Sequence, residues 1–121
     1  SLEKMPQLKA VSLEHNYIED ISSVKNLTNA EYLSLVSNLV EDITPLSGLK
    51  NLRHLELSLN YITDVSPLAT LTGLEELYIA YNEIEDISPL AKLPNLEKAW
   101  VEGNHITDFT AVEDVLVEMG S

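Results

Sequence analysis

The chain has 121 residues, 45% of them hydrophobic, which suffices for one domain with a continuous core. Its 20 acidic and 7 basic residues give a formal net charge of −13, which repels phosphates and argues against nucleic-acid binding and against attachment to an anionic membrane. No run approaches the roughly 18 apolar residues that would suggest a membrane span, and zero cysteines exclude disulfides, thiol catalysis and cysteine-based zinc sites.

Residues 1–7 align with the end of a later segment: Ser1, Leu2, Met5 and Pro6 fall on Pro89, Leu90, Leu93 and Pro94. They are expected to be the tail of a preceding repeat, which makes the chain a fragment of a longer protein. An asparagine then recurs at Asn16, Asn38, Asn60, Asn82 and Asn104, each 22 residues after the last. Self-similarity at such a period marks a solenoid, and residues 8–109 divide into about five coils.

Within each coil the same positions return. The pairs Val11/Leu13, Leu33/Leu35, Leu55/Leu57, Leu77/Ile79 and Ala99/Val101 alternate with polar neighbours, as a short half-buried strand requires. The asparagine that follows carries an amide able to donate to and accept from the backbone of adjacent coils, so the column Asn16, Asn38, Asn60, Asn82 and Asn104 is expected to pin the turn after each strand. Next come Asp20, Asp42, Asp64, Asp86 and Asp108, then Ser22, Thr44, Ser66, Ser88 and Thr110, with Pro45, Pro67 and Pro89 one residue on. Ser or Thr before Pro predicts an N-cap with proline at the first position of a short 3-10 turn.

At the C-terminus Glu118 falls where a leucine should open another strand. Thr110 to Glu113 has the form of a capping box, and Val112, Val115, Leu116 and Met119 form an apolar stripe closed by Gly120. Residues 110–121 are therefore expected to be a capping helix. The expected fold is an α/β solenoid with parallel strands on its concave face and short 3-10 or helical turns on its convex face.

These residues resemble the 22-residue class of leucine-rich repeat. The runs Asp64 to Leu68 and Asp86 to Leu90 look like the bacterial internalin-type variant, with departures at Ala30, Leu39-Val40 and Ala99. The resemblance implies a surface or secreted bacterial protein that grips a host protein on its concave strand face. A eukaryotic nuclear phosphatase regulator is similar in period but usually lacks the Ser-Pro-Leu cap; it implies the alternative, an intracellular subunit that scaffolds or inhibits an enzyme.

The strand register assigns Tyr32, His54, Glu76 and Lys98 to one concave column, Glu56, Tyr78 and Trp100 to a second, and Leu59 and Tyr81 to the rim. These nine are the expected partner-binding residues, since contiguous exposed aromatics make interface hot spots. The competing reading is that the rings only stabilise the ladder. His54 beside Glu56, with Ser58 four residues further along, is no convincing catalytic set because no oxyanion donors accompany it.

The Asp column supplies too few oxygens per coil for calcium and is better explained as capping the following helical turn, and His15, His54 and His105 share no ligand spacing. The expectation is therefore a non-enzymatic module without metal or cofactor, monomeric, extracellular or at the cell surface, and bound to a protein partner; the charge suits solubility first and a basic partner second. An intracellular regulatory role, or a passive spacer, remains open.

Overall fold

Each coil carries its apolar residues on one side, so none can bury them alone and each must stack on the next. In the computed structural model, which describes residues 9–112 and 115–118, stacking produces a parallel sheet in sequence order: β1 (Ala10–Ser12), β2 (Tyr32–Ser34), β3 (His54–Glu56), β4 (Glu76–Tyr78), β5 (Lys98–Trp100) and β6 (Leu116–Glu118). The register is that of the repeat. Leu33 lies beside Leu55, Leu55 beside Leu77 and Leu77 beside Ala99.

Opposite the sheet run the 3-10 turns Ser22–Asn26, Thr44–Gly48, Ser66–Thr70 and Ser88–Lys92, followed by the shorter Thr110–Val112. Strand residues such as Leu33, Leu55 and Leu77 meet turn residues such as Leu46 and Leu68, all with no exposed surface, in one continuous core. Burying each such side chain is worth about 1.5–3 kcal/mol.

The asparagines bind coil to coil. Asn60 Nδ2 donates to Leu57 O in its own coil (3.0 Å) and to Leu35 O in the preceding one (2.9 Å), while its Oδ1 accepts from Val40 N (3.0 Å). Asn38, Asn82 and Asn104 repeat the pattern. Asn16 is exposed and donates to Glu14 O. A second column escaped the sequence reading: Asn51 and Asn95 each donate to a threonine carbonyl one coil back, Thr28 and Thr72, both at 2.9 Å.

Two expectations are corrected. Ser and Thr do not cap the convex turns. Each is the first turn residue, and its amide donates to the aspartate two positions earlier, as Ser66 N does to Asp64 Oδ1 at 2.8 Å. The carboxylate closes a tight local turn, and in two coils the Thr44 and Thr110 hydroxyls donate to that same carboxylate oxygen at 2.6 Å.

The second concerns the C-terminal capping helix. Leu116–Glu118 is a strand, pairing Lys98 with Leu116 and Ala99 with Val117. The outer edge of β5 offers backbone donors and acceptors that a strand satisfies and a helix does not. Val115 N bonds Val112 O just as Leu93 N bonds Leu90 O one coil earlier. From there Lys98 is five residues on and Leu116 only one, so the last coil is four residues shorter (5 − 1), which breaks the 22-residue alignment. Glu113, Met119 and Gly120 of the expected helix, and the tail at residues 1–7, lie outside the described residues.

Candidate functional site

The concave face follows from the pleat: side chains flanking each buried strand residue point away from the core. Tyr32 and His54 stand in one column and Tyr78 and Trp100 in the next, yet their rings make one row. Centroids are 4.8 Å apart from Tyr32 to His54, 5.1 Å from His54 to Tyr78 and 6.1 Å from Tyr78 to Trp100. All are tilted stacks, within the range at which aromatic pairs attract. Lys98 Nζ lies 5.7 Å from the Tyr78 ring centre, close enough for a cation–π contact.

Carboxylates fasten the row. Tyr32 Oη donates to Glu56 Oε2 at 2.7 Å, and Tyr78 Oη to Glu76 Oε1 at 2.8 Å. The bond to Glu56, with burial second, raises the Tyr32 phenol above its ordinary pKa. His54 sits between the same two acids, its Nε2 3.3 Å from Glu56 Oε2 and its Nδ1 3.7 Å from Glu76 Oε1. These are ion-pair distances when the ring is charged; Nε2 is buried and not aligned for a hydrogen bond, so the contact is one of proximity alone.

The rim has its own backbone. The residue before each asparagine is left-handed: His15, Ser37, Leu59 and Tyr81 have φ of 57°, 60°, 61° and 56°, and Gly103 has 74°. Bulky residues rarely adopt this region, yet Leu59 and Tyr81 do so with 49% of each exposed. With Tyr61 they line a shallow groove of about 330 Å³ that also includes Gly103. A Cβ at Gly103 would collide with the Tyr81 ring, so the glycine makes room for it.

The nine expected residues thus form two adjoining groups. Tyr32, His54, Glu56, Glu76, Tyr78, Lys98 and Trp100 share the strand face, and Leu59 and Tyr81 the rim. Glu102, absent from the sequence-based set, joins the groups: Trp100 Nε1 donates to its Oε2 at 2.8 Å and Tyr81 Oη donates to its Oε1. The Trp100 bond is local, but nothing local signals the link to the rim, since Tyr81 lies 21 residues away. Two residues whose register positions also put them on this face are covered: Ser34, beside Glu56 in the register, is fully buried and bonded to Glu14 at 3.0 Å, and Ala80, two residues after Tyr78, is 3% exposed.

Ser58 Oγ accepts from Ala80 N at 3.1 Å and is thereby engaged in the ladder. Among the described residues no group of three or more His, Cys, Asp or Glu side chains could hold a metal, and no helix is long and apolar enough to cross a membrane.

Residues 28–70 and 72–114 match the family profile "Leucine Rich repeats (2 copies)". An internalin C2 from Listeria monocytogenes is similar in structure at 33% identity and a TM-score of 0.95, over 98% of this chain and 54% of that one. The Listeria monocytogenes internalin inlF is 38% identical with a TM-score of 0.94, over 99% and 37%. A leucine-rich repeat protein of Leptospira interrogans, at 18% identity and a TM-score of 0.71 over 97% and 38%, shares the fold. The chain thus spans about half, or less, of the length of these proteins. No curated protein sequence matches it significantly.

Proposed function

Because the chain belongs to the leucine-rich repeat family in its internalin-like form, a protein-interaction fold, we propose that it binds a protein partner through the concave strand face. The observation that carries this is the ring row Tyr32, His54, Tyr78 and Trp100, held by Glu56 and Glu76. Rings already fixed in place lose little freedom on binding, which favours them as anchors. Leu59, Tyr81 and Lys98 extend the contact surface. The module acts without catalysis, as a monomer.

The likeness to Listeria internalins supports a surface or secreted bacterial parent whose partner is a host surface protein. The test immobilises the domain beside its Tyr78→Ala/Trp100→Ala variant and exposes both to host-surface extract and to cytosolic lysate. A surface protein held only by the native domain is the expected result. A cytosolic enzyme held that way would replace this reading with the regulatory subunit, and equal capture by both baits would leave only a spacer.

A further inference from the structure

Glu102 differs from the other acids of the concave face in how it is held. Its two oxygens each accept one bond from an aromatic side chain, Oε2 from the Trp100 indole and Oε1 from the Tyr81 hydroxyl. A carboxylate oxygen can accept two hydrogen bonds, so each keeps one acceptor position. Trp100 and Tyr81 are meanwhile 36% and 49% exposed. A pinned carboxylate between two accessible rings offers a planar cation a bidentate ion pair together with ring faces on which to stack.

We propose that Tyr81, Glu102 and Trp100 form a guanidinium subsite that takes one arginine side chain of the protein partner. This rests on the concave-face reading and deepens it. Arginine fits better than lysine because its flat fork matches both carboxylate oxygens while its face stacks on an aromatic ring; an ammonium offers only a point charge. The Tyr81 bond first and the Trp100 bond second hold the Glu102 carboxyl below its ordinary pKa, so it is ionised at neutral pH. Gly103 keeps the Tyr81 ring in place. One strand further in, Lys98 over Tyr78 shows the face already stacking a cation on a ring. The net charge of −13 favours the approach of a basic partner.

Trp100 is the only tryptophan, so its indole N–H signal in a nitrogen-15 spectrum reports the site directly. The probe is the peptide acetyl-Gly-Arg-Gly-Arg-Gly-amide in about 150 mM NaCl, a salt level that screens diffuse attraction. Its citrulline analogue, isosteric and uncharged, and its lysine analogue serve as comparisons. The arginine peptide should move the indole signal saturably, the citrulline peptide should not, and the lysine peptide should bind at least about threefold more weakly. Glu102→Gln should weaken arginine binding about fivefold or more, whereas the charge-matched Glu41→Gln, at an exposed position outside the concave columns, should leave it within about twofold.

Equal binding by Glu102→Gln and the native chain overturns the subsite. So does equal binding of the arginine and citrulline peptides, or an equal loss with Glu41→Gln, which would mean attraction by net charge alone. If Glu102→Gln lowers the melting temperature by more than a few degrees, Tyr81→Phe is read instead; it removes one pinning bond and should weaken binding at least about twofold. Failure here while Tyr78→Ala/Trp100→Ala still loses the partner sinks only the subsite. A double variant that keeps the partner sinks the concave-face reading itself.

Discussion

On the convex side Asp20, Asp42, Asp64, Asp86 and Asp108 each accept the amide of the residue two positions on, all at 2.8–2.9 Å. On the concave side no two strands present the same set: β2 offers Tyr32 with Ser34 covered, β3 His54 and Glu56, β4 Glu76 and Tyr78, β5 Lys98 and Trp100. The two sides belong to the same coils and differ in what they must satisfy. Convex side chains answer to backbone geometry that is identical in every coil, so the same residue returns. Concave side chains face solvent across a finished ladder and can vary with whatever the face is required to hold.

The contrast breaks most severely at the asparagines, which belong to neither face. Asn60→Ala removes the partner of Val40 N and the donor to Leu35 O and Leu57 O, groups that each cost about 1–3 kcal/mol when left unpaired in a buried site. We expect the largest fall in melting temperature here, followed by chemical denaturation, with no selective binding defect beyond loss of fold. Gly103→Ala should rank second: the left-handed φ of 74° costs an alanine about 1–2 kcal/mol, and the added methyl must displace the Tyr81 ring. Its mark would be a changed Trp100 indole signal alongside a moderate drop in the melt.

A smaller effect should come from acid, chiefly from the convex side, with Glu102 the concave carboxyl that shares it. Bonds from Ser22, Thr44, Ser66 and Thr110 hold Asp20, Asp42, Asp64 and Asp108 below the usual 3.8. A lowered folded-state pKa means the stabilisation is fully present above the unfolded value and is lost as pH falls through the folded one. These groups should therefore leave the melt flat between about pH 7 and pH 5 and begin to weaken it below about pH 4. Asp64→Asn, which keeps an acceptor but does not titrate, should reduce that acid loss in melts recorded against pH.

The smallest change in stability should follow Tyr78→Ala/Trp100→Ala, within a few degrees of the native melt, because surface truncations away from caps and cores cost little. A collapse of the melt instead would make the ring row a structural ladder and erase the division between the two faces.

How much was legible in the sequence varies along the chain. The asparagine column was legible because its spacing never varies, and so were the strand pairs, whose alternation matches the pleat. The last strand was not: Leu116–Glu118 returns four residues early, and an aligned period cannot register a shortened coil (22 − 18). Tyr32, His54, Tyr78 and Trp100 could be assigned to one face, but not to one continuous row, since His54 and Tyr78 occupy different columns. Glu102 was passed over because its importance lies in Tyr81, a full coil away.

Periodicity alone was enough to establish the solenoid, its sheet, its core columns and its pinned turns. Those follow from burial, which is collective and insensitive to any one side chain's conformation. Which carboxylate meets which ring depended on folding: Tyr32 with Glu56, 24 residues apart, and Tyr81 with Glu102, 21 apart, instead of the 22 of a strict column. Such diagonal contacts are chosen by rotamers and by the left-handed turn at the rim, and neither is encoded in a repeat length.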